Sequence, residues 1–205
     1  ADVVVHSLTK FVNGASDIVA GCVCADGDVI DAMYDLHVGS LMLLGPAMDP
    51  RAAYEVATRL PSLPLRMREH SRRALAYAAC LEGLGARVVY PGLPSHPDHA
   101  LFGRLAQPGY GAGGMLTVDL GSAARAARFM EHLQNAEDFG YMAVSLGFSE
   151  TLMSASAAST SSEMDDHALA AAGIPPGLVR MSAGYTGRLE DRLAQLERGW
   201  RAATA

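Results

Sequence analysis

Apolar positions in this chain shift from runs to helical repeats to short strands, and the shifts mark its elements. Residues 2–6 carry three consecutive valines and predict a buried strand, and residues 17–24 predict a second. Gly27 marks a turn. From Val29 to about Leu44 apolar residues recur at helical spacing, until Gly45-Pro46 breaks the pattern. Asp49 ahead of Pro50 predicts a capped helix over roughly 50–59. Pro61 and Pro64 end it. A long amphipathic helix rich in Arg and Ala is predicted over 64–83, stopped by Gly83 and Gly85.

The texture changes after residue 85. Residues 86–90 predict a strand, 91–97 a Pro-rich loop and 100–105 a short helix. A Gly-rich stretch over 109–114 leads into a strand over 115–120. Ser122 caps a helix to about 134. A strand is predicted over 142–146, a Ser/Ala-rich loop over 154–166, a short helix from Asp165 or Asp166 to Gly173, a strand over 178–183 and a last helix over 189–202. This order predicts a small α+β domain with a mostly antiparallel sheet, its boundary near 85.

Composition narrows the function. Half of the 205 residues are hydrophobic, enough for a real core in one or two domains. A net charge of -6 argues against a nucleic-acid or anionic-membrane surface. No apolar run reaches membrane-spanning length. A mean hydropathy of +0.13 fits a protein that buries surface against a partner. Ala1-Asp2-Val3 enters directly in a strand-like segment, so the chain is expected to begin mid-domain. Cys22, Cys24 and Cys80 have no zinc spacing and read as reduced, partly buried thiols of a cytoplasmic protein.

Lys10 is the only lysine; the other fifteen basic residues are arginines. A lysine can lose its proton and attack carbonyls, which arginine cannot. Its setting, directly after a valine strand and among the hydroxyls of Ser7 and Thr9, suggests a site. A solvated turn lysine is the plainer alternative. Ser7-Leu8-Thr9-Lys10 also matches the S-x-x-K serine acyl-enzyme signature. That chemistry needs a K-T-G strand, which a chain with one lysine lacks. The other use of a strand-end lysine is an imine with pyridoxal phosphate, with Ser7 and Thr9 as phosphate donors.

Residues 2–10 (DVVVHSLTK), with Asn13-Gly14-Ala15-Ser16-Asp17, resemble the cofactor-lysine segment of the trans-sulfuration, or Cys/Met metabolism, family of pyridoxal-phosphate enzymes. The likeness continues through Leu63-Pro64-Leu65-Arg66-Met67, Tyr90-Pro91-Gly92-Leu93, Val144-Ser145-Leu146-Gly147 with Glu150-Thr151-Leu152, and Leu178-Val179-Arg180-Met181-Ser182. It implies an α/β chain of PLP fold type I, like aspartate aminotransferase. Residues 1–85 would be the end of the large cofactor domain with its connecting helix, and 86–205 the small C-terminal α+β domain.

The resemblance also implies roles. Lys10 would be the Schiff-base lysine and proton shuttle. Ser7 and Thr9 would be cofactor-phosphate and lysine-positioning hydroxyls. Arg180 would clamp the substrate α-carboxylate, with Ser145 and the Leu146 backbone as a second contact and Thr160 as a polar neighbour. Val144 stands where cystathionine-cleaving relatives commonly carry Glu. The implied reaction is γ-elimination from methionine or a related sulfur amino acid, giving a thiol, ammonia and a 2-oxo acid. Alternatives are a cystathionine lyase or synthase, or a non-catalytic assembly fragment without cofactor. The implied partners are the missing N-terminal half of the same enzyme and further copies in a homo-oligomer such as a homotetramer. The family's aspartate for the pyridine nitrogen, its stacking tyrosine and its main phosphate loop lie upstream of the lysine. Ala15 replaces a common His, and Thr186 a common acidic residue.

Three further features read as structural. His96-Pro97-Asp98-His99 has metal-like spacing but sits in a Pro-rich loop. The glycines at 109–114 precede a strand rather than an anion-binding helix. The Met-rich 33–48 stretch reads as core or subunit interface.

Overall fold

The valine run forms its strand. β1 (Val3–Ser7) pairs antiparallel with β2 (Gly21–Ala25), from Val3 opposite Ala25 to Ser7 opposite Gly21. The strand is not buried as expected: Val5 is 77% exposed and all five residues of β1 are open. Two strands alone cannot cover both of their faces. This ribbon belongs to the first of two compact units, Ala1–Leu63 and Pro64–Ala205. The structure, a computed structural model, describes residues 1–159 and 161–205. Thr160 therefore lies outside the described residues.

The rest of the first unit is helical. The single helix expected from Val29 to Leu44 is two, α1 (Gly27–Met33) and α2 (Ser40–Leu44). The break is local chemistry. The Asp35 carboxylate accepts the amides of His37 and Val38 at 2.9 and 3.0 Å, an Asx turn. Gly39 folds back so closely that a Cβ there would lie 2.5 Å from the Asp35 backbone. The methionines of this stretch are not core within the unit, since Met42 and Met48 are exposed. α3 (Pro50–Arg59) follows its prediction: Asp49 accepts from the amides of Arg51 and Ala52, with Pro50 in the first turn.

The second unit is a five-stranded sheet in the order β3 (Arg87–Val89), β4 (Met115–Asp119), β7 (Leu178–Ser182), β6 (Thr151–Ala155) and β5 (Gly140–Met142). All neighbours are antiparallel except β5 and β6. α4 (Leu63–Gly83), α6 (Ala123–Asn135) and α8 (Leu189–Thr204) supply the helical side of the core, while α5 (His99–Leu105) and α7 (Asp166–Ala171) lie in the connections. Leu116, Val118, Met153, Val179 and Met181 meet Tyr77, Leu81, Phe129, Leu133 and Leu196 there.

One predicted strand moves and one strand was not predicted. β5 ends at Met142, where a strand over 142–146 was expected, and β6 occupies residues that carry too few β-branched side chains to signal a strand. The two compact units divide at 63/64, so α4 falls almost wholly in the second. His70, Ser71, Arg73, Ala74, Tyr77, Ala78 and Leu81 form the buried face of α4, and that face joins the core of the sheet that follows it.

Two polar clamps lock this unit. Arg73, 5% exposed, donates to Glu69 Oε1 at 2.7 Å and to the Thr186 and Gly187 carbonyls at 2.6 Å each. It fastens α4 to the turn after β7. Buried Ser182 on β7 accepts the Gly147 amide at 2.9 Å, and Gly147 itself is left-handed at φ 79°. This pins the loop between β5 and β6.

Arg73→Met strands the two carbonyls and leaves Glu69 to Arg72 alone; we expect a loss of roughly 3 kcal/mol, read from urea unfolding. Arg72, then Arg73, hold the Glu69 carboxyl down at about 2 against an ordinary 4.5. That contribution is full above pH 4.5 and disappears as pH falls towards 2, so Glu69→Gln should flatten the acid limb of the stability curve in that window. Ser182→Ala leaves a buried amide without its acceptor and should cost about 1–3 kcal/mol, with faster hydrogen exchange at Gly147.

Candidate active site

Lys10 sits half-buried in a wide helical turn, Leu8–Val12, closed by the Asn13 amide donating to the Leu8 carbonyl at 2.9 Å. Such i→i+5 turns recur at functional sites. The lysine breaks the helical geometry itself, at φ -88° and ψ -122°, and its carbonyl accepts the Gly14 amide at 2.7 Å. The turn closes this way because the left-handed Gly14, four residues after Lys10, lets the chain reverse.

Thr9 ties this turn to the second strand. Its hydroxyl accepts the Ala20 amide at 2.9 Å and donates to the Ala20 carbonyl at 3.2 Å. Its one O–H is thereby committed, so this hydroxyl positions the lysine turn. Ser7, at the exposed end of β1, keeps its hydroxyl on the surface. The donor set of a primary amine and a nearby exposed hydroxyl suits a cofactor with both a carbonyl and a phosphate.

The expected substrate residues lie in the second unit. Arg180 is the half-buried middle residue of β7, directly opposite Thr117 on β4 and Ser154 on β6. Its neighbours Val179 and Met181 are fully buried. Strand alternation thus turns Arg180 to the face away from the helices. Its guanidinium donates to the Ser145 carbonyl at 3.3 Å and meets no carboxylate among the described residues. The structure therefore brings Arg180 and Ser145 together. Leu146 is half-buried in the same loop. Val144 is 59% exposed in that loop, not a strand core residue, and lines an apolar cavity of about 260 Å3 with Met130, Met142 and Met153.

Sequence reasoning missed four residues around these. Asn13, Asp17 and Arg59 form a network behind the lysine turn; only the turn residues Asn13-Gly14 hinted at it. Ser154, beside Arg180, has a buried hydroxyl with no partner among the described residues. A larger cavity of about 500 Å3, between α4, α5 and the glycine loop, contains none of the expected site residues. His96 Nδ1 accepts the Asp98 amide, His99 Nδ1 bonds the Pro91 carbonyl, and no metal cluster exists among the described residues.

Known proteins align with this arrangement along the whole chain. A methionine gamma-lyase of Arabidopsis thaliana is 53% identical over 200 residues, covering 98% of this chain and 45% of that protein. An L-methionine gamma-lyase of Porphyromonas gingivalis is 37% identical, covering 97% and 48%. The chain thus spans about half the length of the curated relatives it matches. Among solved structures, a cystathionine gamma synthase of Xanthomonas oryzae pv. oryzae superimposes with a TM-score of 0.87 at 34% identity, over 100% of this chain and 51% of that one. A cystathionine gamma-lyase from yeast gives 0.89 at 28% identity, with the same coverage. Their fold, PLP fold type I, is the fold of this chain. Residues 1–201 match the family of Cys/Met metabolism PLP-dependent enzymes, and the chain belongs to that family.

Proposed function

We propose that this chain carries the lysine and the carboxylate clamp of an enzyme that eliminates the γ-sulfur of methionine or a related thioether amino acid. Substrate and water give a thiol, ammonia and a 2-oxo acid. Bound pyridoxal phosphate would supply the electron sink for breaking bonds at Cα. Lys10 would hold the cofactor through Nζ, and its amine would move protons at Cα and Cβ of the substrate. Ser7 would offer its hydroxyl to the cofactor phosphate, and Thr9 keeps the lysine turn closed. Arg180 grips the α-carboxylate with the donors it does not give to Ser145, which fixes the orientation of the Cα bonds. Ser145 and the Leu146 backbone line the same carboxylate, and Thr160 is assigned there from the family likeness alone.

The observation that carries this reading is Arg180: a half-buried guanidinium on a rigid strand, with no acidic partner among the described residues. The choice of methionine rests on Val144. Its methionine-lined cavity suits a methyl thioether, whereas the distal ammonium of cystathionine would find no counter-charge there. The exposed Val5, Val19 and Leu44 of the first unit support burial against the N-terminal half of the same enzyme, in a homo-oligomer.

Assembled with that half, wild type should yield a borohydride-trapped adduct that peptide mapping places on Lys10, and Lys10→Ala should yield none. An adduct that survives the substitution rejects the assignment. A colourless assembly would favour a non-catalytic fragment. The complete enzyme should prefer methionine to cystathionine, and Val144→Glu should move the ratio of kcat/KM towards cystathionine. A wild type that already prefers cystathionine would make this a cystathionine lyase or synthase of the same family.

A further inference from the structure

Behind the lysine turn lies a charge-assisted network that the assigned chemistry does not use. Arg59, the last residue of α3, donates from Nη1 to Asp17 Oδ1 at 2.6 Å and from Nη2 to Asp17 Oδ2 at 2.9 Å. Its Nη1 also donates to Asn13 Oδ1. Nη2 reaches Glu55 Oε2, one helical turn earlier, at 2.6 Å. Asn13 closes the circuit, its amide donating to Asp17 Oδ1 at 3.1 Å and to the Thr9 carbonyl at 3.5 Å.

Isolated surface ion pairs contribute little. This one differs in three respects. The pairing is bidentate. Asn13 is 2% exposed, so its bonds are made out of water. The partners are 42 residues apart in sequence, so the contact fastens the turn to a separate helix. The segment it restrains is also unfavourable by itself: Ser16, a non-glycine residue, is left-handed at φ 56°. Asp17 stays ionised well below neutral pH, because Arg59 foremost, and then Asn13, hold its carboxyl at about 2.

The anchored residues are the ones that close the lysine turn. The Asn13 amide bonds Leu8, and the next amide, Gly14, bonds the carbonyl of Lys10. We propose that Arg59 is a positioning residue for Lys10, setting through Asn13 and Asp17 the backbone from which Nζ acts. The inference rests on Lys10 being the cofactor lysine. Only a planar guanidinium can meet both Asp17 oxygens, Asn13 and Glu55 together, so lysine at 59 is not equivalent.

The test uses the chain assembled with its N-terminal half and loaded with pyridoxal phosphate, in wild type, Arg59→Met, Arg59→Lys, Asp17→Asn and a Glu55→Gln control. In the Arg59 and Asp17 variants the trapped adduct on Lys10 should persist. Their kcat should fall about 10- to 100-fold, as for a misplaced catalytic group, with KM within about 3-fold. The pH midpoint of the bound cofactor's visible band should shift. Amide exchange at Asn13 and Gly14 should accelerate by about 10-fold or more, the scale of a lost charged hydrogen bond. Arg59→Lys should restore only part of this. Glu55→Gln should behave as wild type, because Glu55 touches Arg59 but not the turn. If Arg59→Met fails to fold, the near-isosteric Asp17→Asn carries the same readouts. Variants with lowered thermal stability but wild-type kcat, midpoint and exchange at 13–14 would overturn the inference and leave the cofactor assignment standing. Absence of a Lys10 adduct in wild type would overturn both.

Discussion

Successive side chains on a β-strand point to opposite faces, and the second unit depends on how β7 uses that rule. Val179 and Met181 enter the helical core, and Arg180 between them must face the other way. β4 and β6 hold β7 from both sides, from Met115 opposite Ser182 to Asp119 opposite Leu178, and from Leu152 opposite Ser182 to Ala155 opposite Val179. A slip of one residue would drive a guanidinium into the apolar core and turn the core side chains out, so register and site are one decision. Ser182 extends the effect by fixing the loop that brings the Ser145 carbonyl to Arg180.

The first unit works by different means. Val12, Ala52 and Val56 are its buried apolar side chains, and most of its other large apolar groups are open. Its lysine turn is instead held by directional bonds: Thr9 to Ala20, Asn13 to Leu8, Gly14 to Lys10, and Arg59 to Asn13 and Asp17. Hydrophobic contacts tolerate sliding, whereas a bidentate guanidinium does not. A turn that, in the proposed function, presents one amine in one place is suited to the second kind of force.

The basic residues divide the labour. Arginines serve where a permanent charge and a planar fork are needed: Arg59 on Asp17, Arg73 on two carbonyls, Arg180 beside Ser145. The one position with lysine is the one where the proposed function needs proton loss and carbonyl attack.

By itself the sequence determined what depends on neighbours along the chain. The Asp49-Pro50 start of α3, the period of α4, the Ser122 cap of α6 and the strand at β7 were all legible, because each is set within a few residues. So was the singular lysine and, through residue order, its family. Tertiary structure decided the rest. The break between α1 and α2 needs the Asp35 carboxylate and the close approach of Gly39; β6 is a strand because β5 and β7 pair with it. α4 belongs with the later sheet because its buried face finds its partners there. The meeting of Arg59 with Asp17, and of Arg180 with Ser145, joins residues far apart in the chain. Spacing cannot encode such contacts, since only the folded backbone brings the groups within hydrogen-bond reach.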